Sequence, residues 1–329
     1  MDKNSNLKFN KRKISSAEER ETLKIAYYPG CSLNSTAVDL NVSLKRLLDK
    51  LGVVYEEIED WNCCGTTPAH NVSQEMLVSL SARNLLLAKK MGYDEILAPC
   101  VSCYCKLSKA SSIINTDFNI KSENELKERE EVLELFGSKG FKTDINLNFK
   151  IYSIIEFLLK NLDLIRYKYL ENREKIKGAE KEILKNLKPV CYYGCVLLRT
   201  DYAEKFDDPE NPKSMESILE SVDIRSNKFD FKTECCGAIL SLTYKNIVLK
   251  LSKEIIDAAV EAGANSIVVF CPLCQQNLDL RQGQINKHYR TNYNMPVFYI
   301  TQILGLAMGL SFKDLMIDKL FVEPRLLKV

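Results

Sequence analysis

Short apolar runs alternate with longer amphipathic stretches along most of the chain. The runs have the length of buried strands and predict strands at 24–28, 53–58, 95–98, 190–193, 266–270 and 297–300. The amphipathic stretches repeat their apolar residues at helical spacing and predict helices at 38–51, 73–91, 125–136 and 244–262. Gly92 and Gly263 lie where the two longest of these helices should end. This alternation predicts an α/β fold with mainly parallel sheets.

The same elements occur twice because the chain contains an internal repeat. A Tyr-Tyr strand leading into Gly-Cys occurs at 27–31 and 192–195, Cys-Cys-Gly at 63–65 and 235–237, and Cys-x-x-Cys at 100–103 and 271–274. A period this long indicates duplicated domains rather than a solenoid. The predicted fold class is therefore α/β with two homologous domains related by internal duplication. Each is expected to be a small, mainly parallel sheet flanked by helices.

The repeat divides the chain into three predicted regions. Residues 1–23 are polar and charged without an apolar period, and we predict a mobile N-terminal tail. Residues 24–187 form the predicted first domain, which includes a mostly helical linker after its last cysteine. Residues 188–329 form the predicted second domain.

One segment, 291–312, contains no charged residue and is long enough to suggest a membrane span. Polar residues and the breakers Pro296 and Gly309 interrupt it. We interpret it as a buried strand at 297–300 followed by a buried helix at 302–309, and we expect no membrane span.

Composition narrows the function mainly through its cysteines. The net charge is only +2, from 46 basic and 44 acidic residues, which is a poor match for nucleic-acid binding. The first 24 residues lack the apolar core of a secretory leader, so we expect a reducing, cytoplasmic location. Twelve cysteines in such a compartment indicate metal ligands or redox groups.

Ten of the cysteines form two matched sets of five. The spacings are C-x31-C-C-x35-C-x2-C and C-x39-C-C-x34-C-x2-C. The first set is Cys31, Cys63, Cys64, Cys100 and Cys103, and the second set is Cys195, Cys235, Cys236, Cys271 and Cys274. These residues follow predicted strands, and loops at the carboxyl ends of parallel strands meet in one crevice. Each set is therefore predicted to surround one point.

The donor type and number favour iron–sulfur clusters. Thiolates select zinc, copper(I) and iron–sulfur groups. Adjacent cysteines have diverging side chains that suit a multi-iron group better than one ion, and five thiolates exceed a four-ligand zinc site. Gly65 and Gly237 are expected to let the backbone approach closely or take positive φ, with turn amides donating to cluster sulfurs. Zinc in at least one set, or unligated thiols, are the alternatives.

The other candidate residues have two interpretations each. His70 follows the first Cys-Cys-Gly turn and would donate a proton to a departing thiolate or bind an anionic substrate, or is an ordinary loop histidine. Cys105 and Cys191 have no repeat counterpart and are expected to be core residues or neighbours of the ligands. Thr66 and Thr67 are predicted helix caps. The basic residues Arg281, Lys287 and Arg290 would meet an anionic substrate or, by default, form a solvated face.

The repeated cysteine pattern resembles the cysteine-rich CCG domain, although the x34 interval of the second copy is one residue short. Two copies in one chain resemble the B subunit of heterodisulfide reductase. Tyr-Tyr-Pro-Gly-Cys-Ser-Leu at 27–33, Asp-Trp-Asn-Cys-Cys-Gly at 60–65, Ala-Pro-Cys at 98–100 and the segment 296–309 support this. The resemblance covers about residues 24–324. CCG motifs alone also occur in lactate and glycolate oxidation subunits and in fumarate-reductase-like subunits.

The resemblance implies a specific activity. Each set of five cysteines, matched position by position, would bind a noncubane [4Fe–4S] cluster near the domain interface. The disulfide of coenzyme M and coenzyme B would be reduced to two thiols between the clusters, in methane formation or another metabolism. Electrons would arrive through a small ferredoxin-like iron–sulfur subunit from a flavin-containing subunit of the same complex.

Two other functions remain as alternatives. The chain would be the CCG subunit of a succinate or fumarate reductase-like enzyme that passes electrons to a quinone or thiol acceptor. Otherwise it would be a zinc-stabilised scaffold subunit without redox chemistry.

Overall fold

The computed structural model of the protein describes residues 23–66, 72–115, 123–138, 148–200 and 205–324. Its strands are β1 (Lys24–Tyr27), β2 (Val54–Glu57), β3 (Glu95–Leu97), β4 (Lys150–Tyr152), β5 (Pro189–Cys191), β6 (Ser266–Val269) and β7 (Val297–Tyr299). Its helices up to the second sheet are α1 (Gly30–Leu33), α2 (Val38–Leu51), α3 (Gln74–Lys90), α4 (Val101–Ile114), α5 (Glu123–Ser138), α6 (Ile154–Lys160), α7 (Leu162–Asn172) and α8 (Gly178–Asn186). The later helices are α9 (Ser214–Glu220), α10 (Lys245–Glu261), α11 (Pro272–Leu278), α12 (Gln282–Tyr289) and α13 (Ile300–Ala307).

The strands form two separate parallel sheets. The first has the order β2-β1-β3-β4 and the second β5-β6-β7, and all strand pairs are parallel. Every residue of β5, β6 and β7 is buried, as expected for strands with both faces covered by helices. The predicted α/β class with two small parallel sheets flanked by helices is confirmed.

The long helix after each Cys-Cys-Gly motif, α3 or α10, is followed by a glycine, and α3 also begins at a capping serine. These residues made the helix limits predictable. The Ser73 hydroxyl caps α3 by accepting from Met76 N at 3.0 Å. Gly92 and Gly263 follow α3 and α10 with φ of +88° and +69°, a left-handed conformation that suits glycine and ends a helix. The predicted cap Thr66 is wrong because Ser73 occupies the cap position, and Thr67 lies outside the described residues.

The fourth strand of the first sheet was not predicted. β4 pairs with β3 through Leu97 and Tyr152, inside the segment predicted to be a mostly helical linker. The following helix α6 begins with a capping box between Ser153 and Glu156. β7 and α13 repeat this unit in the second sheet, so the duplication includes part of the segment between the copies. The domain limits themselves stay a prediction, and the tail at 1–22 lies outside the described residues.

The uncharged segment is buried between the copies. It forms β7 and α13, and all eight residues of α13 are buried. α13 packs against α2 of the first copy, where Thr301 Oγ1 lies 2.8 Å from Ser43 Oγ. Because water is excluded on every side, the helix needs no charged face. Within the described ranges, no helix has the length and apolar character needed to cross a membrane.

Candidate metal centres

Both cysteine sets lie at the carboxyl ends of their sheets. Cys31 and Cys195 occupy the turns after β1 and β5, where the chain leaves the sheet. In each Cys-x-x-Cys motif the first cysteine is the N-cap of a helix and the second lies in its first turn: Cys100 and Cys103 in α4, Cys271 and Cys274 in α11. The sheet topology therefore brings three separate chain segments of each copy to one edge.

The sulfur atoms of each set converge. Cys63 Sγ lies 3.8 Å from Cys31 Sγ, and Cys236 Sγ lies 3.6 Å from Cys274 Sγ. All twelve cysteines are free thiols. Burial raises the pKa of Tyr28, and four thiols of the first set add to this, so they surround the same phenol ring. Burial also raises the pKa of Tyr192, which has the same relation to four thiols of the second set.

The Cys-Cys-Gly turns have the predicted backbone. Gly65 and Gly237 have φ of +82° and +76°, so any other residue would be strained there. The Gly65 N–H donates to Cys63 Sγ at 3.4 Å, and the Gly237 N–H donates to Cys235 Sγ at 3.3 Å. Each turn amide thus points at the first cysteine sulfur of its own pair, and the expected donation to cluster sulfurs stays a prediction.

A tyrosine fixes each Cys-Cys-Gly segment. Tyr28 Oη donates to Asn62 O at 2.8 Å, and Tyr192 Oη donates to Glu234 O at 2.7 Å. These carbonyls belong to the residues just before the paired cysteines. Tyr28 is therefore the structural counterpart of Tyr192. Aligning the Tyr-Tyr pairs with each other would instead have matched Tyr28 with Tyr193. The sequence signal for this correspondence is the spacing to the next cysteine, because Tyr28 precedes Cys31 by three residues and Tyr192 precedes Cys195 by three.

The glycine before the first cysteine of each set admits a sulfur. A Cβ atom on Gly30 would lie 2.8 Å from Cys103 Sγ, and one on Gly194 would lie 3.1 Å from Cys274 Sγ. Both glycines also have positive φ. The backbone of the Gly-Cys turn therefore passes close enough to the Cys-x-x-Cys sulfur that a side chain would displace it.

Shared protons stabilise thiolate in both sets. Hydrogen bonds from the thiols of Cys103 and Cys63 lower the pKa of Cys64 to about 3. The Cys103 thiol likewise lowers the pKa of Cys100 to about 7. In the second set, the Cys274 thiol lowers the pKa of Cys236 to about 7. Thiolate is the form of cysteine that binds metals.

Three buried hydroxyls test whether an iron–sulfur group fits. In the described part of the chain, Ser32 Oγ, Ser252 Oγ and Tyr299 Oη are buried without a hydrogen-bond partner. Ser32 follows Cys31 and helps to lower the pKa of Cys100, and Tyr299 is within electrostatic reach of Cys271 and Cys274. Ser252 takes the place of Ser81, which donates to Cys64 O at 3.0 Å.

Buried donors normally have acceptors, so Ser252 Oγ and Tyr299 Oη indicate an acceptor that the polypeptide does not provide. Ser32 differs from them, because it already acts on the Cys100 thiol. The sulfide ions of an iron–sulfur cluster are such acceptors, and five thiol donors suit a multi-iron group. No group of three or more His, Cys, Asp or Glu side chains among the described residues is arranged to hold a metal ion in the positions shown. The five thiol donors of each set and the unpartnered hydroxyls are what fit an iron–sulfur cluster.

The remaining cysteines are not exposed thiols. Cys191 is fully buried in β5, and burial raises its pKa. Burial raises the pKa of Cys105 to about 12, and both Cys100 and Cys271 act on it. Cys105 is thus within electrostatic reach of one cysteine from each set, so the two sets face each other from opposite copies. Gln276 strengthens this interface by donating to Thr36 O at 3.2 Å.

Two of the other candidate residues, Arg281 and Thr66, differ from the prediction in their burial or their hydrogen-bond partners. Arg281 was expected on a solvated face, but it is half-buried and donates to Asn277 Oδ1 and Ser241 O, both at 3.0 Å. Lys287 and Arg290 are exposed as expected. Thr66 Oγ1 lies 3.2 Å from Cys64 Sγ instead of capping a helix. His70 lies outside the described residues.

Exposed apolar side chains lie close in sequence to both sets, and the larger group is near the second. Val38, Val72 and Met76 lie near the first set. The group that follows Cys195 and Cys236 along the chain is called the apolar rim and consists of Val196, Ile239, Leu242, Tyr244 and Ile247. Ile239 and Leu242 are 90% and 96% exposed. Beside the first set, Cys31 is followed by the exposed polar residues Asn34, Ser35 and Thr36. A surface cavity of about 520 Å³ lies elsewhere, at 291–295 beyond the opposite end of β6.

Two parallel sheets, each with five thiols at its carboxyl edge, define a protein with tandem cysteine-rich domains. Residues 25–108 and 190–279 match CCG, the cysteine-rich domain, and the chain belongs to this family. The matches cover more than half of the chain and include both cysteine sets.

Known proteins with this arrangement include two kinds of reductase subunit. The chain is 30% identical to the 8-methylmenaquinol:fumarate reductase membrane anchor subunit of Wolinella succinogenes, over 89% of this chain and 94% of that protein. It is 27% identical to the B subunit of the ferredoxin:CoB-CoM heterodisulfide reductase of Methanosarcina mazei, over 91% of this chain and 94% of that protein. The predicted resemblance to the B subunit of heterodisulfide reductase is confirmed, and these relatives support an iron–sulfur subunit of an oxidoreductase complex.

A solved structure shows the same fold. The chain superposes on a hypothetical protein from Helicobacter pylori with a TM-score of 0.62 and 15% identity, over 92% of this chain. It spans about half, 53%, of that longer chain. At this identity the likeness shows the fold alone.

Proposed function

We propose that this chain is the catalytic subunit of a heterodisulfide reductase-type complex, and that it reduces a disulfide of the coenzyme M–coenzyme B type to two thiols. The observation that carries the proposal is that two sets of five free cysteines meet across the interface between the copies. The reaction consumes two electrons and two protons, breaks one S–S bond and releases two thiols. Bound clusters, proposed to be two noncubane [4Fe–4S] groups held by the ten cysteines, would supply these electrons one at a time.

The protein's own residues hold and orient these groups. The ten cysteines supply the ligands, and the N–H groups of Gly65 and Gly237 donate to the sulfurs of Cys63 and Cys235. Tyr28 and Tyr192 fix the segments that carry the paired cysteines. Ordinary thiol–disulfide exchange needs an exposed thiol of low pKa, whereas the low-pKa Cys64 is buried and bonded within its set. The proposed proton donor His70 stays a prediction.

Metal analysis of anaerobically purified protein tests this function. We expect about eight irons and matching sulfide per chain, the content of two four-iron clusters. The same preparation should then oxidise a reduced carrier when it is given the coenzyme M–coenzyme B disulfide. Zinc alone in a natively folded chain would overturn the proposal and leave the scaffold function. About four irons plus zinc would contradict the two-cluster part.

A second candidate follows from the Wolinella relative, which has the higher identity of the two reductase proteins compared above. In this case the chain would be part of a fumarate reductase-like enzyme and would pass electrons between its clusters and a quinone or thiol. The cluster content would be the same. Oxidation of a menaquinol by the purified complex, without reduction of the heterodisulfide, would favour this candidate over the first.

Partner subunits are part of the proposal, and the apolar rim supports them. Exposed aliphatic side chains that adjoin Cys195 and Cys235 suit a protein interface close to a redox group. The occupant proposed for this rim is the ferredoxin-like iron–sulfur subunit, which would receive electrons from the flavin-containing subunit. The proposed location is cytoplasmic, which rests on the thiol-rich composition.

Substitution of the apolar rim tests the partner. Leu242→Asp and Ile239→Asp should abolish co-purification of the ferredoxin-like partner and leave the iron content of this chain unchanged. Val72→Asp is the matched control, because Val72 is an exposed apolar residue near the first Cys-Cys-Gly turn and is 73% exposed. Retention of the partner by both rim variants would show that it binds elsewhere.

A further inference from the structure

A buried amide contacts the paired cysteines of the second set. Asn277 lies in α11, three residues after Cys274, and is 2% exposed. Its Nδ2 donates to Cys236 O at 2.9 Å and lies 3.7 Å from Cys236 Sγ. The amide therefore directs its N–H groups at a proposed ligand residue in a place that water does not reach.

The orientation of this amide is fixed by two other donors. Asn277 Oδ1 accepts from Arg281 Nε at 3.0 Å and lies 3.1 Å from Ser241 Oγ. Arg281 also donates through Nη2 to Ser241 O at 3.0 Å. With its oxygen held in this way, Asn277 must direct Nδ2 towards Cys236. Arg281 makes no ion pair with another described residue, and its guanidinium is bonded to the amide and to Ser241 O. Hydrogen-bonded groups in such networks polarise each other at low dielectric.

The nearest arrangement in the first set is Asn62, whose Nδ2 donates to the carbonyls of Cys63 and Leu80 at 2.9 Å and not to a cysteine sulfur. Asn62 Oδ1 accepts from Arg83 Nη1 at 3.0 Å, but Arg83 also forms an ion pair with Asp60, which offsets its charge. At the offset of the Cys-x-x-Cys motifs, Lys106 and Ala110 take the positions of Asn277 and Arg281. Cys64 instead has the neutral hydroxyl of Thr66 at 3.2 Å from its sulfur, and its carbonyl accepts from Ser81. Lys106 carries a charge, but none of the described hydrogen bonds or ion pairs joins it to the first set. Among the described residues, an amide that reaches the sulfur of a paired cysteine and is backed by a guanidinium outside any ion pair is thus found at the second set and not at the first.

We propose that Asn277 and Arg281 are positioning residues that hold the reduction potential of a cluster at the second set above that of a cluster at the first. Hydrogen bonds to ligand sulfurs and nearby positive charge stabilise the more negative, reduced form. One electron from an external iron–sulfur carrier would then reside first at the second set, beside the apolar rim. The inference rests on the proposed function, because it requires that both sets bind clusters.

Potentiometric titration of the full chain, followed by electron paramagnetic resonance, tests this assignment. Arg281→Gln and Asn277→Leu should shift one of the two cluster midpoints to lower potential and leave the other unchanged. We expect at least a tenfold change in the oxidised-to-reduced ratio at a fixed potential, which is about 59 mV for one electron. Arg281→Lys keeps the positive charge, so its midpoint should lie between those of Arg281→Gln and the wild type.

Controls in the first copy show which cluster responds. Thr66→Val should lower only the other midpoint, and Lys106→Gln should leave the midpoint affected by Arg281→Gln unchanged. Iron and sulfide are measured for every variant. If Asn277→Leu loses iron, the smaller change Arg281→Gln and its lysine rescue still decide the question.

The outcomes separate the two proposals. A wild-type chain without iron and sulfide overturns the proposed function itself. Two clusters with midpoints that Arg281→Gln and Asn277→Leu leave unchanged, or shift together, overturn the assignment of these residues while the proposed function stands.

Discussion

The two cysteine sets have the same backbone frame and different polar support. In both, a tyrosine hydroxyl holds the residue before the paired cysteines, and a glycine N–H points at the first sulfur of the pair. In the first copy Asn84 of α3 holds the turn from one side, accepting from Asn62 N at 2.9 Å and donating to Asn62 O at 3.0 Å. In the second copy Ile255 takes that position, and Asn277 of α11 holds the turn instead.

This difference shows which features ligand placement requires. Strand ends, glycine turns and the tyrosine contact recur because together they set the positions of the sulfurs. The surrounding hydrogen bonds differ because any buried donor that reaches the turn can satisfy its carbonyl. Ser81 and Ser252 illustrate the change: Ser81 donates to Cys64 O, whereas Asn277 donates to Cys236 O and Ser252 Oγ has no partner among the described residues.

Removing one ligand from each set is the strongest test of their equivalence. Cys63→Ser and Cys235→Ser should each lose about half of the iron, because each removes a ligand of one four-iron cluster. Iron, sulfide and the paramagnetic signals of the two variants should be complementary. Cys191→Ala, which changes a buried strand residue outside both sets, should keep the full iron content. An unchanged iron content in either serine variant would remove that cysteine from the ligand set.

One repeat position carries a buried carboxyl group in the second copy and none in the first, so it should make only the second copy respond to pH. Asp279 is buried and accepts from Phe321 N and Val322 N, and burial raises its pKa from 3.8 to about 6. Its counterpart in the first copy is Ser108. Because the folded state keeps this proton longer than the unfolded state, Asp279 lowers stability as pH rises from about 4 to about 6. The loss approaches about 3 kcal/mol, at 1.36 kcal/mol per pKa unit.

Denaturation curves at pH 4, 5, 6 and 7 measure this contribution. The difference in unfolding free energy between Asp279→Ser and the wild type should move in favour of the variant across this window and be flat above it. A difference that is constant with pH would mean that the carboxyl group titrates alike in both states. Ser108→Ala is the matched control and should give no pH-dependent difference.

Asn84 in the first copy should contribute more to the free energy of unfolding than Ile255, which takes its position in the second copy. Asn84→Leu removes an acceptor from the buried Asn62 N–H, which should cost about 2 kcal/mol of unfolding free energy. Ile255→Val, at the same place in the second copy, should cost about 1 kcal/mol because it only deletes a methyl group. Chemical denaturation under anaerobic conditions measures both. Equal losses would show that the Asn84 network gives no more than ordinary packing.

The smallest expected difference between the copies is in the stability cost of substituting Gly30 or Gly194, the glycines that contact a cysteine sulfur. Gly30→Ala and Gly194→Ala should each cost about 1–2 kcal/mol for positive φ. Gly30→Ala should cost more, because its Cβ would lie 2.8 Å from a sulfur and that of Gly194 would lie 3.1 Å away. Thermal unfolding of the two variants ranks them. Gly52→Ala, which has positive φ but open space around it, isolates the backbone part of the cost.

Six of the seven strands in the described part of the chain, and the amphipathic helices, lie within two residues of their predicted limits; the strand β4 is the exception. α2 was predicted at its observed limits, and α3 and α10 to within one residue at each end, because their apolar spacing is sustained and glycines follow them. β4 was missed because three residues of mixed burial carry no period that can be recognised. The cysteine grouping was predictable because parallel strands direct their following loops to one edge.

The partners of those cysteines were less predictable. Asn277 and Asn84 carry no local motif, and they act on turns about 20 to 40 residues away in sequence. Arg281 was assigned to a solvated face because its neighbours are polar, but the fold turns it towards Ser241. Tertiary contacts of this kind are set by helix packing, which a single sequence does not show.

The contact between α2 and α13 has a consequence for how the chain is made. α2 ends at Leu51, and its partner α13 begins at Ile300, so the ribosome has to synthesise the whole intervening chain before the two can meet. Until then the buried apolar face of α2, with Leu40, Leu44 and Leu47, has no cover from α13. Delivery of iron and sulfide to the first copy before this point would therefore meet an unfinished structure, and maturation is best timed after α13 has emerged.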